Sequence, residues 1–244
     1  MEVKQAVNVL ELLEFFAQRQ QPATLADVCR HFGWPRSSAF NLLSTLAARG
    51  YLYEPVARQG WYPSPQWGAM LAPIEQAAPL SERLHALLQE LAEQTQETAV
   101  VAGISGVHAV FLASVESPQA VRYAAPVGKR VPLHASATGR ALLAQLPAAD
   151  RAVLLRKATF DAFTPTTLRS VEAVEAEITR SLQRGWFESA GEFTPDLGGV
   201  AMPLAEPGRQ LALLVGGPIA RVQPRYAELA RAMAASVNRI RAAP

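Results

Sequence analysis

Gly33-Trp34-Pro35-Arg36-Ser37-Ser38-Ala39-Phe40-Asn41-Leu42-Leu43 is the stretch on whose reading the fold of this chain turns. A glycine closes one segment, and a proline then suits the first turn of a new helix, because its missing N–H is one that would have no intrahelical acceptor. Ala39, Leu42, Leu43 and Leu46 recur at the three- and four-residue spacing of one helix face. Arg36, Ser37, Ser38 and Asn41 are left on the other. Such a helix anchors itself by its apolar side and presents short hydrogen-bonding side chains near its N-terminus. Those groups, with the free N–H groups and dipole of the helix end, can reach phosphates and base edges in a major groove. Taken singly, the same residues also serve as a plain cap and a solvated charge. The surroundings have to decide.

Outward from that helix, residues 4–18 place Ala6, Val9, Leu10, Leu13 and Phe16 on one face of an amphipathic helix. Thr24 can cap a second, short helix that stops at Gly33, with Asp27 answering it from the third position. The third helix is expected to run to Gly50. Tyr51 to Glu54 and Trp61 to Pro63 then read as two short strands joined by a loop from Pro55 to Gly60. Helix, helix, tight turn, helix, hairpin is the order of a winged helix-turn-helix. The candidate contacts to double-stranded operator DNA are Thr24, Arg36, Ser37, Ser38, Asn41 and Arg58. Charge gives little further support: the whole chain carries +2, and six cations against five anions leave +1 over residues 1–70. One winged helix reads one half-site, so a homodimer or homotetramer is expected.

The chain has 244 residues, half of them hydrophobic, enough for two buried cores. Glu2, Glu11 and Glu14 break the first apolar run, so neither a signal peptide nor a membrane span is indicated. A soluble protein of the cytoplasm, with no membrane partner, is expected. Cys29 is the single cysteine, which excludes an internal disulfide and a four-cysteine zinc site. His31, His85, His108 and His134 lack ligand spacing, so no cofactor or metal is assigned; His134 with Glu188, Glu192 or Asp196 is the one grouping a metal could bridge. Hydrolase chemistry is the competing class, but Ser105 sits in AGISGV without a nucleophile elbow, and His134 and Ser136 stand too close in sequence to imply a triad. The chain is therefore read as no enzyme.

Domain boundaries follow from the prolines. Residues 1–64 form the winged domain, and 65–79, with Pro65, Pro73 and Pro79, form a hinge. Residues 80–244 hold a linker helix, marked by Leu80, Leu84, Leu87, Leu88 and Leu91, and a mixed α/β domain. Strands are expected at 100–104, 107–115 and 121–124, and helices at 134–146, 170–184 (capped by Ser170) and 224–240, the last with Tyr226, Leu229, Met233, Val237 and Ile240 on one face.

The stretch from AVNVLELLEFF through PRSSAFNLLSTLAARGYL to the wing resembles the DNA-binding domain of the IclR family of bacterial transcription regulators. APVGKRVPLHASATGRALLAQL (125–146) is similar to that family's most specific signature, and FTPTTL (163–168), RGWFESAGEFTPDLGGVAMPL (184–204) and LALLVGGP (211–218) follow in the family's order. The resemblance implies an α/β two-domain protein: an N-terminal winged helix-turn-helix, a linker helix that helps pair subunits, and a C-terminal GAF-like effector-binding domain. Periodicity alone leaves open that the leucine stripe packs on its own domain.

The resemblance also implies a small organic acid effector held against the sheet. The amides of Ala137 and Thr138, at the start of the 134–146 helix, are the expected seat of its carboxylate. Ser189 stands where the family often has an acidic residue, Gly199 where it usually has Cys, and Leu214 and Gly216 at two polar positions. With Tyr123, Val131 and Leu197 nearby, these exchanges predict a roomier, more apolar cavity, suited to an aromatic or longer aliphatic carboxylate. The alternative is that they only repack the core. Gln5 and Asn41 replace two arginines common in the family, which implies weaker phosphate binding and a different operator sequence. A small-molecule sensor whose first domain binds a protein is the remaining alternative.

Overall fold

The computed structural model describes residues 3–77, 80–206 and 208–242, and the chain divides into two compact units, Met1–Pro79 and Leu80–Pro244. In the first unit, α1 (Lys4–Arg19), α2 (Leu25–Phe32) and α3 (Arg36–Ala48) precede β1 (Leu52–Tyr53) and β2 (Tyr62–Pro63), and α4 (Gln66–Ala77) follows. The capping box at α2 forms as expected: the Thr24 hydroxyl accepts from Asp27 N, and the Asp27 carboxylate accepts from Thr24 N. Gly33 ends α2 at φ 66, a left-handed value that glycine adopts without strain. Pro35 is the N-cap of α3, one residue earlier than expected, and α3 stops at Ala48 rather than Gly50.

Leu12, Phe16, Val28, Ala39, Leu43 and Leu52 form the buried centre of this unit. The strands pair antiparallel, Leu52 with Pro63 and Tyr53 with Tyr62, and a bridge between Ala23 and Trp61 ties the wing to the start of α2. That bridge requires Gly60, where a Cβ would stand 2.4 Å from the Ala23 carbonyl oxygen. The expected hinge at 65–79 is instead helical over Gln66–Ala77, with Pro73 inside it. A proline removes one intrahelical bond and strains the turn before it, which is not enough here to end the helix. Pro79 lies outside the described residues.

The second unit is a six-stranded antiparallel sheet in the order β5-β4-β3-β8-β7-β6. Its strands are β3 (Thr98–Ser105), β4 (His108–Val115), β5 (Arg130–Pro132), β6 (Phe187–Ala190), β7 (Leu197–Glu206) and β8 (Arg209–Pro218). Both faces are covered. Ala99 and Val101 of β3 face α5 (Glu82–Thr95) and α10 (Tyr226–Ala242), while Val100 and Ala102 face α6 (Ala137–Leu143) and α8 (Val171–Arg184). Ser170 caps α8 by accepting from Ala173 N.

Leu84, Leu87, Leu88 and Leu91 are buried in the core of this unit, so the stripe read as a linker helix is the inner face of α5. On α10, Tyr226, Leu229, Met233 and Val237 are buried as expected, and the side chain of Ile240 lies outside the described set. Residues 121–124 form no strand: β5 takes the place beside β4, and the segment is held by Thr98 Oγ1 donating to the Tyr123 carbonyl. The helix expected at 134–146 shrinks to Ala137–Leu143, and α7 (Ala148–Lys157), a further helix, had no expectation attached.

Candidate functional site

On α3, Arg36, Ser37, Ser38 and Asn41 are all exposed, while Ala39, Leu43 and Leu46 are buried beneath them. Residues 33–43 thus split into two faces, and Phe40, which the spacing assigns to neither, is half exposed and stands with the polar residues. Ser38, Asn41 and Thr45 border a groove whose other wall is Lys4, Gln5 and Asn8 of α1. Arg58 is exposed in the wing loop at φ 64, where its N–H donates to Glu54. Thr24 differs from the other candidates, because its hydroxyl already donates to Asp27 at 2.9 Å and caps the helix. In the structure it fixes where α2 begins.

In the second unit, the loop before α6, the β6–β7 turn and the floor of the sheet enclose a cavity. Tyr123, Val131, Ala137, Thr138, Ser189, Leu197, Gly199 and Leu214 all line it, together with Phe111, Phe193, Thr194 and Glu192. Gly216 does not; it pairs with Gly199 and Thr98 in the sheet and stands behind the wall, 3.5 Å from the Tyr123 ring as measured from a built Cβ. The walls of the cavity are mostly apolar side chains, and its clear space is small rather than roomy. A Cβ at Gly199 would meet the Val215 carbonyl oxygen at 2.8 Å and Leu214 Cδ1 at 2.9 Å, so the backbone of β8 and the leucine together crowd that position. The clear volume is about 50 Å³ inside an envelope of about 440 Å³ that includes the open mouth.

Polar groups gather at one end. Ser136 caps α6 by accepting from Gly139 N, which leaves Ala137 and Thr138 as first-turn N–H groups without an intrahelical acceptor. Gly139 is needed here, since a Cβ would clash with the Leu133 backbone at 2.4 Å. Arg140, fully buried, holds Glu192 by two bonds of 2.5 and 2.9 Å and also donates to the carbonyls of His134 and Glu188. The guanidinium neutralises the one carboxylate in the wall, so an entering anion meets no net repulsion. Sequence pattern could not have found this pair, because its members are 52 residues apart.

His134 is buried against the rings of Phe160 and Phe163, with one long contact to the Asp161 carbonyl, and burial lowers its pKa. Among the described residues no three His, Cys, Asp or Glu side chains converge to hold a metal.

These features have relatives. Residues 75–242 match the model of the bacterial transcriptional regulator IclR C-terminal domain, and residues 5–55 match that of the IclR helix-turn-helix domain. The chain belongs to the IclR family. It is 30% identical over 217 residues to the HTH-type transcriptional regulator BhcR of Paracoccus denitrificans, covering 88% of this chain and 77% of that one. The Thermotoga maritima IclR structure superposes with a TM-score of 0.77 at 16% identity over 98% of both chains. An IclR homologue from Microbacterium hydrocarbonoxydans, solved with 4-hydroxybenzoate, gives 0.69 at 22% identity, covering 98% of this chain and all of that one. This IclR-family chain is accordingly a transcription regulator with a DNA-binding helix-turn-helix domain and a C-terminal effector domain. At the level of the family, the relatives are transcription regulators with a DNA-binding first domain, not hydrolases or protein-interaction modules.

Proposed function

We propose that this regulator binds a palindromic operator as a homodimer or homotetramer through Arg36, Ser37, Ser38, Asn41 and Arg58, and responds to an aromatic or longer aliphatic carboxylate held in the cavity of its C-terminal domain. We place it in the cytoplasm, where its operator would be; among the described residues no helix is long and apolar enough to cross a membrane. The observation that carries the effector reading is the composition of the cavity: two free amides at one end and Phe111, Tyr123, Val131, Phe193, Leu197 and Leu214 around the rest. Amides fix a carboxylate, and apolar walls reward a ligand by about 25 cal/mol for each Å² it buries. A two- or three-carbon oxo acid would touch little of these apolar walls, although hydroxyls of Ser136, Thr138, Ser189 and Thr194 also border the cavity. The small clear volume means that a larger acid seats itself against Leu214 by turning Phe193 aside. That displacement gives ligand and conformation a common element, as a response requires. The fold accommodates such a ring in the Microbacterium protein, which was solved with 4-hydroxybenzoate.

A thermal-shift screen of carboxylic acids followed by calorimetry tests this. Benzoate-class or medium-chain acids should stabilise the protein by about 2.7 kcal/mol at a hundred times their dissociation constant. Leu214→Ser should weaken them by about 1–3 kcal/mol through lost apolar contact. Tight binding of glyoxylate or pyruvate with none for the larger acids would return the cavity to a small-acid type.

A further inference from the structure

Phe40 is 50% exposed, and among the described residues no other ring packs on it, although Phe15, Phe16, Phe32, Trp34 and Tyr62 of the same unit all engage other rings. A single exposed apolar side chain is ordinary on a protein surface. The setting of this one is not. It follows Arg36 by one turn of α3 and precedes Ser44 by one turn, on the helix that carries Ser37 and Asn41, all of them exposed or half exposed. An apolar ring amid hydrogen-bonding side chains calls for a surface that is itself polar with one apolar spot. The major groove offers such a spot: among base edges only thymine carries a methyl group there, and apolar side chains read it by contact.

We infer that Phe40 is a specificity residue that packs on the C5-methyl of a thymine, so that each half-site of the operator holds a thymine read by its methyl group. The inference rests on α3 being the helix that enters the groove. Asn41 is its immediate neighbour and can pair with adenine N6 and N7, so the two together favour an A·T-rich step. Phe40 thus acts on which sequence is bound, whereas Arg36 acts on how tightly any DNA is held.

The test starts from DNA fragments selected out of a random pool by the wild-type full chain. Each thymine of the selected site is then replaced, symmetrically in both half-sites, by deoxyuridine, which removes the methyl and leaves the base pairing intact. Burying one methyl is worth about a four-fold change in affinity, so the critical replacement should weaken wild-type binding about four-fold per half-site and about fifteen-fold for the pair. Phe40→Ala should bind the thymine and deoxyuridine sites equally, while Phe40→Leu should retain part of the discrimination. Phe40→Leu should keep the wild-type thermal midpoint, and any fall in Phe40→Ala, which removes a half-buried ring, should leave its affinity for non-specific DNA unchanged. Wild-type indifference to deoxyuridine at every position would overturn the inference, as would unchanged discrimination in Phe40→Ala. Arg36→Ala separates the two levels: if no fragment is retained by the wild type, or Arg36→Ala and Asn41→Ala leave affinity unchanged, the reading of α3 itself fails and this one with it.

Discussion

Glu97 sits in a run, EQTQET, that reads as the polar end of a helix, yet it has no exposed surface. Both carboxylate oxygens are taken by Arg221, at 2.5 and 2.7 Å, and the bond holds the guanidinium pKa above its ordinary value. Gly217 makes room for the pair, since a Cβ there would come within 2.2 Å of Glu97 Oε2. Removing one member of a buried pair leaves an uncompensated charge, so Arg221→Met should cost about 3–5 kcal/mol in urea unfolding. Pairing it with Glu97→Gln should recover part of that loss. A loss under about 1 kcal/mol would show that water reaches the carboxylate. The two residues stand 124 positions apart, which is why periodicity and local motif give no hint of them. The same holds for Gly199, which was legible as an exchange, while the crowding of that position by Val215 and Leu214 of the neighbouring strand was not.

At the scale of elements, local chemistry was legible and long-range pairing was not. The start of α2 could be read because a capping box is a four-residue pattern. Thr24→Ala should cost about 1 kcal/mol, measurable as a fall in thermal midpoint. The pH dependence follows from the same bonds: the Thr24 N–H and then its hydroxyl lower the Asp27 pKa below its ordinary 3.8. A lowered carboxylate stabilises the fold fully above that ordinary value and loses its contribution as pH falls through the folded one. The difference between wild type and Asp27→Ala should therefore narrow on acidification below about pH 4 and stay constant from pH 5 to 7. The strand expected at 121–124 and the helix break expected within 65–79 failed for other reasons: a strand exists only where a neighbour pairs with it, and prolines at 65 and 73 did not prevent α4, although the two units do divide after Pro79. For α3, the apolar spacing placed Ala39, Leu43 and Leu46 on the buried side, with Leu42 only half buried. Arg36→Ala should weaken operator binding and reduce the slope of log affinity against log salt by about 1, with the fold intact. Asn41→Ala should instead relax preference at one base pair.

For the whole molecule, a palindromic operator and a two-fold assembly go together, because each winged helix reads one half-site. Sedimentation should show at least a dimer at micromolar concentration, and a monomer both alone and with DNA would contradict it. The proposed cavity lies in the unit of residues 80–244 and the proposed DNA-reading helix in that of residues 1–79. A regulator of this kind must therefore pass a ligand's preference from one unit to the other, and the coupling free energies of such systems correspond to about five- to 150-fold in affinity. The decisive measurement is an operator-binding isotherm by fluorescence anisotropy, at zero and at saturating concentrations of the acid that stabilises the protein most. The predicted result is a midpoint displaced by at least about five-fold in the wild type and not displaced in Ser189→Phe, which fills the cavity while still binding DNA. Isotherms that coincide with and without the acid in the wild type would contradict the account.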